Sequence, residues 1–145
     1  MHVGAKLAIA GAALGGATVL AYLFHERRVQ REAHEELLAL RATLTPETTH
    51  ADLQRQVGHT RHLSLLETGR HVAVLTPLAS DAARWILWLE YRDEWPCSAK
   101  LRIYDEKGTP TEGGPPDLAF PCDAAEALQN NPMPTAPAQA MERRS

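Results

Sequence analysis

Basic charge is scarce in this chain: 15 Lys and Arg stand against 18 Asp and Glu, giving a formal net charge of −3 and a pI near 6.1. Without a basic field there is little to hold a phosphate backbone, so nucleic acid is not an expected partner. Cysteine is scarcer still. Cys97 and Cys122 are the only two, and they form no CxxC pair. That removes the local ligand pairs of a structural zinc site and the haem-attachment motif. His59-x-x-His62 with His71 supplies imidazoles but no such pairs, so those rings are expected to be satisfied or solvent-facing.

Catalytic signatures are missing too. There is no Gly-rich phosphate loop and no nucleophile elbow. His25-Glu26 and His34-Glu35 begin like a zinc-protease helix, but the second His is replaced by Val29 and Leu38. Asp93 and Glu94 are adjacent in an expected turn, where they point apart rather than forming an acid–base pair. The reading is a non-enzyme with no cofactor and no metal.

What is present is one long uncharged run, Leu7 to Phe24, inside KLAIAGAALGGATVLAYLFHERR. Its 18 residues make about 27 Å of helix, against a bilayer hydrocarbon core of about 30 Å. Lys6 can snorkel outward and Tyr22 can sit at the interface. A buried soluble helix would need a larger domain to wrap it. A cleaved signal peptide is the other alternative, with Val19-Leu20-Ala21 offering small residues before Tyr22. Against cleavage, the run passes without a break into a helical pattern, which favours a transmembrane anchor over residues 1–24. Ala8, Gly11, Ala12, Gly15 and Gly16 recur at three- and four-residue spacing. Small residues let helix backbones approach in lipid, so this face is a candidate for packing on another transmembrane helix.

Residues 25–44 read as an amphipathic helical stalk. Val29, Ala33, Leu37, Leu40 and Leu44 form one apolar stripe, with charges on the other faces. The stripe requires cover, from either the small domain or a partner helix. Thr45-Pro46 ends the helix. A small α+β domain is expected over 45–108. It starts with a helix at 49–57, capped by Thr49-x-x-Asp52 and closed by Gly58 at C′. About four antiparallel strands follow: 61–66 and 71–76 around a Glu67–Arg70 loop, then 84–92, and a last strand carrying Ala99, Leu101 and Ile103. Trp85, Trp88, Tyr91 and Trp95 are candidates for an aromatic surface or for the core itself. Residues 109–145, rich in Pro, Gly and Ala, are expected to be a mostly disordered tail.

Cys97 and Cys122 are a candidate disulfide if the domain faces an oxidising compartment. Arg27, Arg28, Arg31 and Arg41 after the run favour a cytoplasmic domain. The early apolar run and the even cysteine pair favour export, and the balance tilts slightly to the extracytoplasmic side. These features together suggest a single-pass membrane protein with lipid and a protein as its partners. It would be an accessory or assembly subunit of a larger membrane complex, with an exported or tethered ligand- or peptide-binding domain as the alternative.

Overall fold

The computed structural model describes residues 3–79 and 82–122, with side chains from Gly16 onward inside the first helix. The chain is α+β: two helices and a six-stranded antiparallel sheet. Helix α1 spans Val3–Thr43, 41 residues and about 60 Å long. Among the described residues no helix is long and apolar enough to cross a membrane. The run Leu7–Phe24 lies within α1, and its residues before Gly16 are outside the described side chains.

The sheet is a meander, β1 (Ser64–Thr68), β2 (His71–Leu75), β3 (Arg84–Arg92) and β4 (Trp95–Tyr104). The other edge of β4 is shared by β5 (Pro110–Thr111) at one end and β6 (Leu118–Ala119) at the other. Strand alternation sorts the side chains cleanly. Trp85, Leu87, Leu89 and Tyr91 face inward opposite Ile103, Leu101, Ala99 and Pro96, while Ile86, Trp88 and Glu90 face outward.

Both helices cover the inner face. Ala33, Leu37, Leu40 and Leu44 are buried, and Leu37, Leu40 and Leu44 pack with Leu53 and Val57 of α2 against Val72, Val74 and Leu87. The stripe on the stalk is therefore covered by the sheet of its own chain, and the second half of α1 is part of the core. A helix this short-loop-tethered gains most of its stability from that burial rather than from propensity. Glu36 reinforces the arrangement by accepting the backbone N–H groups of Arg61 (3.3 Å) and His62 (3.1 Å).

Helix α2 (His50–Gly58) is set by a capping box: the Thr49 hydroxyl accepts from the Asp52 amide and the Asp52 carboxylate accepts from the Thr49 amide, both at 3.2 Å. Its end differs from expectation. Gly58 stays helical, and His59, in the right-handed region, closes the helix by donating its N–H to the Gln56 and Val57 carbonyls. No left-handed residue is needed there.

Two strand boundaries also differ. The β1–β2 turn uses only Gly69 and Arg70, with Gly69 at φ +62°, glycine's position in a type II′ hairpin. Glu67 and Thr68 thus remain in the ladder, opposite Val72 and His71. Arg61 and His62 lie outside it because Glu36 takes their amides. Strand β4 begins earlier than expected, since the β3–β4 turn is only Asp93-Glu94, with Asp93 at φ +56°. Pro96 is accommodated beside a register shift at Glu90/Tyr91, where a missing amide costs least.

The larger difference is in the expected tail. Residues 110–122 are paired and packed: the sheet has six strands rather than four because this segment adds β5 and β6. Leu118 and Phe120 pack against the core, the Phe120 amide donates to the Cys97 carbonyl (2.9 Å), and Arg102 holds Asp117 bidentately at 2.8 and 3.0 Å. Arg41 of α1 also donates to the Pro116 carbonyl. The Pro- and Gly-rich composition concealed two apolar anchors spaced two apart. The rest of the expected tail, from residue 123, lies outside the described residues.

Candidate functional site

The feature with the most unspent chemistry is a cavity of about 280 Å³ between α1 and the connection from β2 to β3. Helix α1 contributes Leu23, Glu26, Arg27, Gln30, Arg31 and His34, and the connection contributes Ala79 and Ala82. Spacings of three and four put these helical residues on one face, adjacent to the apolar stripe.

Gln30 is 95% buried, its exposure being 5%. Its Nε2 donates to the Pro77 carbonyl at 2.7 Å. A carbonyl can only accept, so this bond fixes which end of the amide is which and leaves Oε1 on the other side. That oxygen is buried and has no hydrogen-bond partner. One turn on, His34 stacks on Trp85 with ring centroids 4.2 Å apart. Burial pushes the His34 pKa down, opposed by a hydrogen bond to the Ala83 backbone. A bond that favours protonation is one donated by the ring to the carbonyl. Because Nε2 is buried and unpartnered, the donor is Nδ1 and the neutral ring leaves a lone pair at Nε2. Gln30 and His34 thus carry two buried acceptors, one helical turn apart, each without a hydrogen-bond partner among the described residues. Neither atom is open to a water-sized sphere, so both are closed off from the space of the cavity as well as from solvent.

The residues singled out in the sequence fall in several places. Cys97 and Cys122 form a disulfide, with Cα atoms 4.7 Å apart, which ties the end of the described chain to the start of β4. Trp85 and Tyr91 lie on the inner sheet face, Trp88 lies half-buried on the outer face, and Trp95 sits exposed beside the β3–β4 turn. The sheet register therefore separates the three tryptophans instead of gathering them. Tyr91 is buried against the edge of His50, and burial, helped by the Asp52 charge, pushes its pKa up to about 12. Gly16 is exposed with open space around it. Ala8, Gly11, Ala12 and Gly15 lie outside the described side chains.

His62 lies 3.1 Å from Glu32, whose pKa is lowered by hydrogen bonds from Arg28 and from His62. His59 and His71 are exposed. Among the described residues no three His, Cys, Asp or Glu side chains are grouped to hold a metal. Gln30 carried no signal in the sequence, being one polar residue among many on a charged helix. His34 was visible only as half of a failed protease motif. Their pairing depends on the β2–β3 connection crossing α1 at that point.

The fold is a helix-on-sheet α+β unit from which α1 projects. No family model, no curated protein and no solved structure matches this chain.

Proposed function

We propose that this is a single-pass, membrane-anchored, non-catalytic protein that serves as an accessory or assembly subunit of a larger membrane complex. The observation that carries the reading is the exposure of the projecting end of α1. Every residue from Gly16 to Tyr22 is exposed, and Val19, Leu20, Tyr22 and Phe24 are among the most exposed large hydrophobics of the molecule. An apolar surface of this kind, contiguous around a helix, marks a site that lipid or another protein covers. The uncharged composition back to Leu7 supplies the length for a lipid span. The Gly and Ala positions Ala8, Gly11, Ala12, Gly15 and Gly16 supply the face on which a partner helix packs.

The disulfide supports a domain on the oxidising side of the membrane. Labelling with a membrane-impermeant thiol reagent, before and after reduction, tests this: labelling of intact cells only after reductant is expected. For the partner, Gly11→Leu and Gly15→Leu are expected to weaken co-purification with membrane proteins while leaving the membrane fraction unchanged. Full association of both variants would reduce α1 to a tether.

A second reading, binding of a peptide or small ligand on the sheet, is favoured by the outer face. There Leu66, Ala73 and Trp88 align across three strands, and Leu66 is 53% exposed. Tryptophan emission unmoved by candidate peptides would count against it.

A further inference from the structure

We propose that the outer edge of β1 is a docking site for an extended segment of a partner protein, which pairs with Leu65 and Glu67 and brings a basic side chain to Glu67. The pairing itself needs no membrane. It rests on the accessory-subunit reading only for placing the partner beside an anchored chain.

Hydrogen-bond parity identifies the available backbone groups. The Thr76 amide donates to the Trp85 carbonyl (3.2 Å) and the Tyr91 amide to the Arg70 carbonyl (2.9 Å). Arg70, Val72, Val74 and Thr76 therefore direct their backbone groups toward β3. His71, Ala73 and Leu75 serve β1, where their partners are Thr68, Leu66 and Ser64. Leu65 and Glu67 are left with N–H and C=O pointing out of the sheet. Among the described residues β1 pairs with β2 alone, and every residue of β1 but Leu65 is exposed.

The opposite edge of the sheet is covered. There β5 and β6 pair with β4, and the Arg102–Asp117 pair and the Cys97–Cys122 bond hold their segment in place. Open edges invite pairing and are ordinarily blunted by lysine, proline or a bulge. Ser64–Thr68 contains no lysine or proline, and its register with β2 is unbroken.

The one charge of β1 selects the partner. Gln54 Nε2 donates to Glu67 Oε1 at 2.6 Å, and His50 Nε2 lies 3.2 Å from the same oxygen. Oε2 has no partner among the described residues, and the side chain is 47% exposed. An open carboxylate oxygen beside unpaired backbone attracts Lys or Arg and repels an acidic segment, and the net charge of −3 acts in the same sense. On the other face of the strand, Leu66 is 53% exposed and takes an apolar residue opposite it. The occupant is thus an added strand with a basic and an apolar residue adjacent, falling on opposite faces.

A second copy of the chain does not suit this edge. Antiparallel pairing of two β1 strands puts a two-fold axis perpendicular to the sheet, and that axis reverses every direction in the sheet plane. Helix α1 lies along the inner face, with Ala33, Leu37 and Leu40 buried on successive turns. The two projecting ends would point oppositely and could not enter one bilayer.

The test is hydrogen exchange of the full chain in detergent, with the blocked peptide acetyl-Ser-Thr-Lys-Ile-Val-Thr-Ser-amide as probe. Antiparallel alignment sets its Lys opposite Glu67, its Ile opposite Leu66 and its Val opposite Leu65. The peptide is expected to slow exchange at the Leu65 and Glu67 amides and to leave Leu66, already bonded to β2, unchanged. Methylating the peptide's Lys and Val nitrogens, which face β1, should weaken binding about tenfold or more, the scale of two net hydrogen bonds. Methylating the Ile nitrogen, which faces away, should cost far less. Glu67→Gln should weaken binding about two- to fivefold, the range of an exposed ion pair. Glu67→Lys should restore it for a peptide with Glu in place of Lys. Equal effects of methylation at all three nitrogens overturn edge pairing, as does an absence of protection at about 1 mM peptide, a millimolar affinity being the weakest worth the name. Leu65 and Glu67 amides already protected without peptide also overturn the proposal: in a monomer they assign the edge to residues 123–145, and in a dimer to a second copy. Flotation on phosphatidylcholine vesicles reads the anchor separately, because it needs no peptide.

Discussion

The imidazole of His34 and the indole of Trp85 stack with centroids 4.2 Å apart and planes 15° from parallel, joining α1 to the first inward position of β3. This contact fixes the height at which the long helix crosses the sheet, and it keeps the imidazole in a desolvated setting that disfavours its charged form.

A pH dependence follows from the His34 contact. With its folded pKa below the ordinary 6.5, the unfolded chain takes up that proton first. The contribution is therefore complete above about 6.5 and is lost as pH falls from there toward the depressed folded value. Urea midpoints should fall between pH 7.5 and pH 5, and His34→Phe should flatten that decline. The lowered Glu32, Asp52 and Asp117 carboxylates act in the same direction but only further down, near and below about pH 4. An unchanged slope between pH 7.5 and 5 in the variant would remove His34 as its source.

The disulfide closes a separation of 25 residues. In the chain-entropy account such a crosslink stabilises by about 3 kcal/mol. Replacing both Cys97 and Cys122 by Ser should cost up to that amount in chemical denaturation. It should also speed hydrogen exchange at the Phe120 amide, which donates to Cys97, more than at amides of β2. Equal acceleration across the sheet would mean that residues 118–120 are not a separately tethered element.

Burial of α1 on the sheet separates two substitutions on the same helix. Leu37 is fully buried, and Leu37→Ala should cost about 2–5 kcal/mol. Arg28, exposed and paired with Glu32 at 2.7 Å, belongs to the class of surface ion pairs that contribute little. Arg28→Ala should leave the thermal midpoint within about a degree or two, on the size scaling of small domains. If the two variants were equally mild, residues 29–44 would be a free stalk and not part of the core.

Much of this arrangement was legible because local chemistry decides it. The Thr49 capping box, the alternation through RWILWLEYR and the spacing of Ala33, Leu37 and Leu40 are short-range patterns that specify helix or strand without reference to the rest of the chain. The boundaries of β1 and β4 were less so, because they depend on Glu36 drawing two amides out of the ladder and on Asp93 adopting a left-handed turn. Both are choices made between segments. The strands within 110–122 were hidden for a related reason: a two-residue strand has no period to read, and its partner is a β4 edge that exists only once the sheet forms.

By itself the sequence determined the long uncharged helix, its apolar stripe, the helix-then-strands order and the absence of a catalytic motif, since composition and periodicity suffice for these. Only the tertiary structure decided what covers the stripe, that Cys97 meets Cys122, and that Trp85 and Trp88 part to opposite faces. The same is true of the acceptor pair. Gln30 and His34 share a helix face by spacing alone, but Pro77 and Ala83 must approach before one end of each side chain is bonded and the other is left buried without a partner among the described residues.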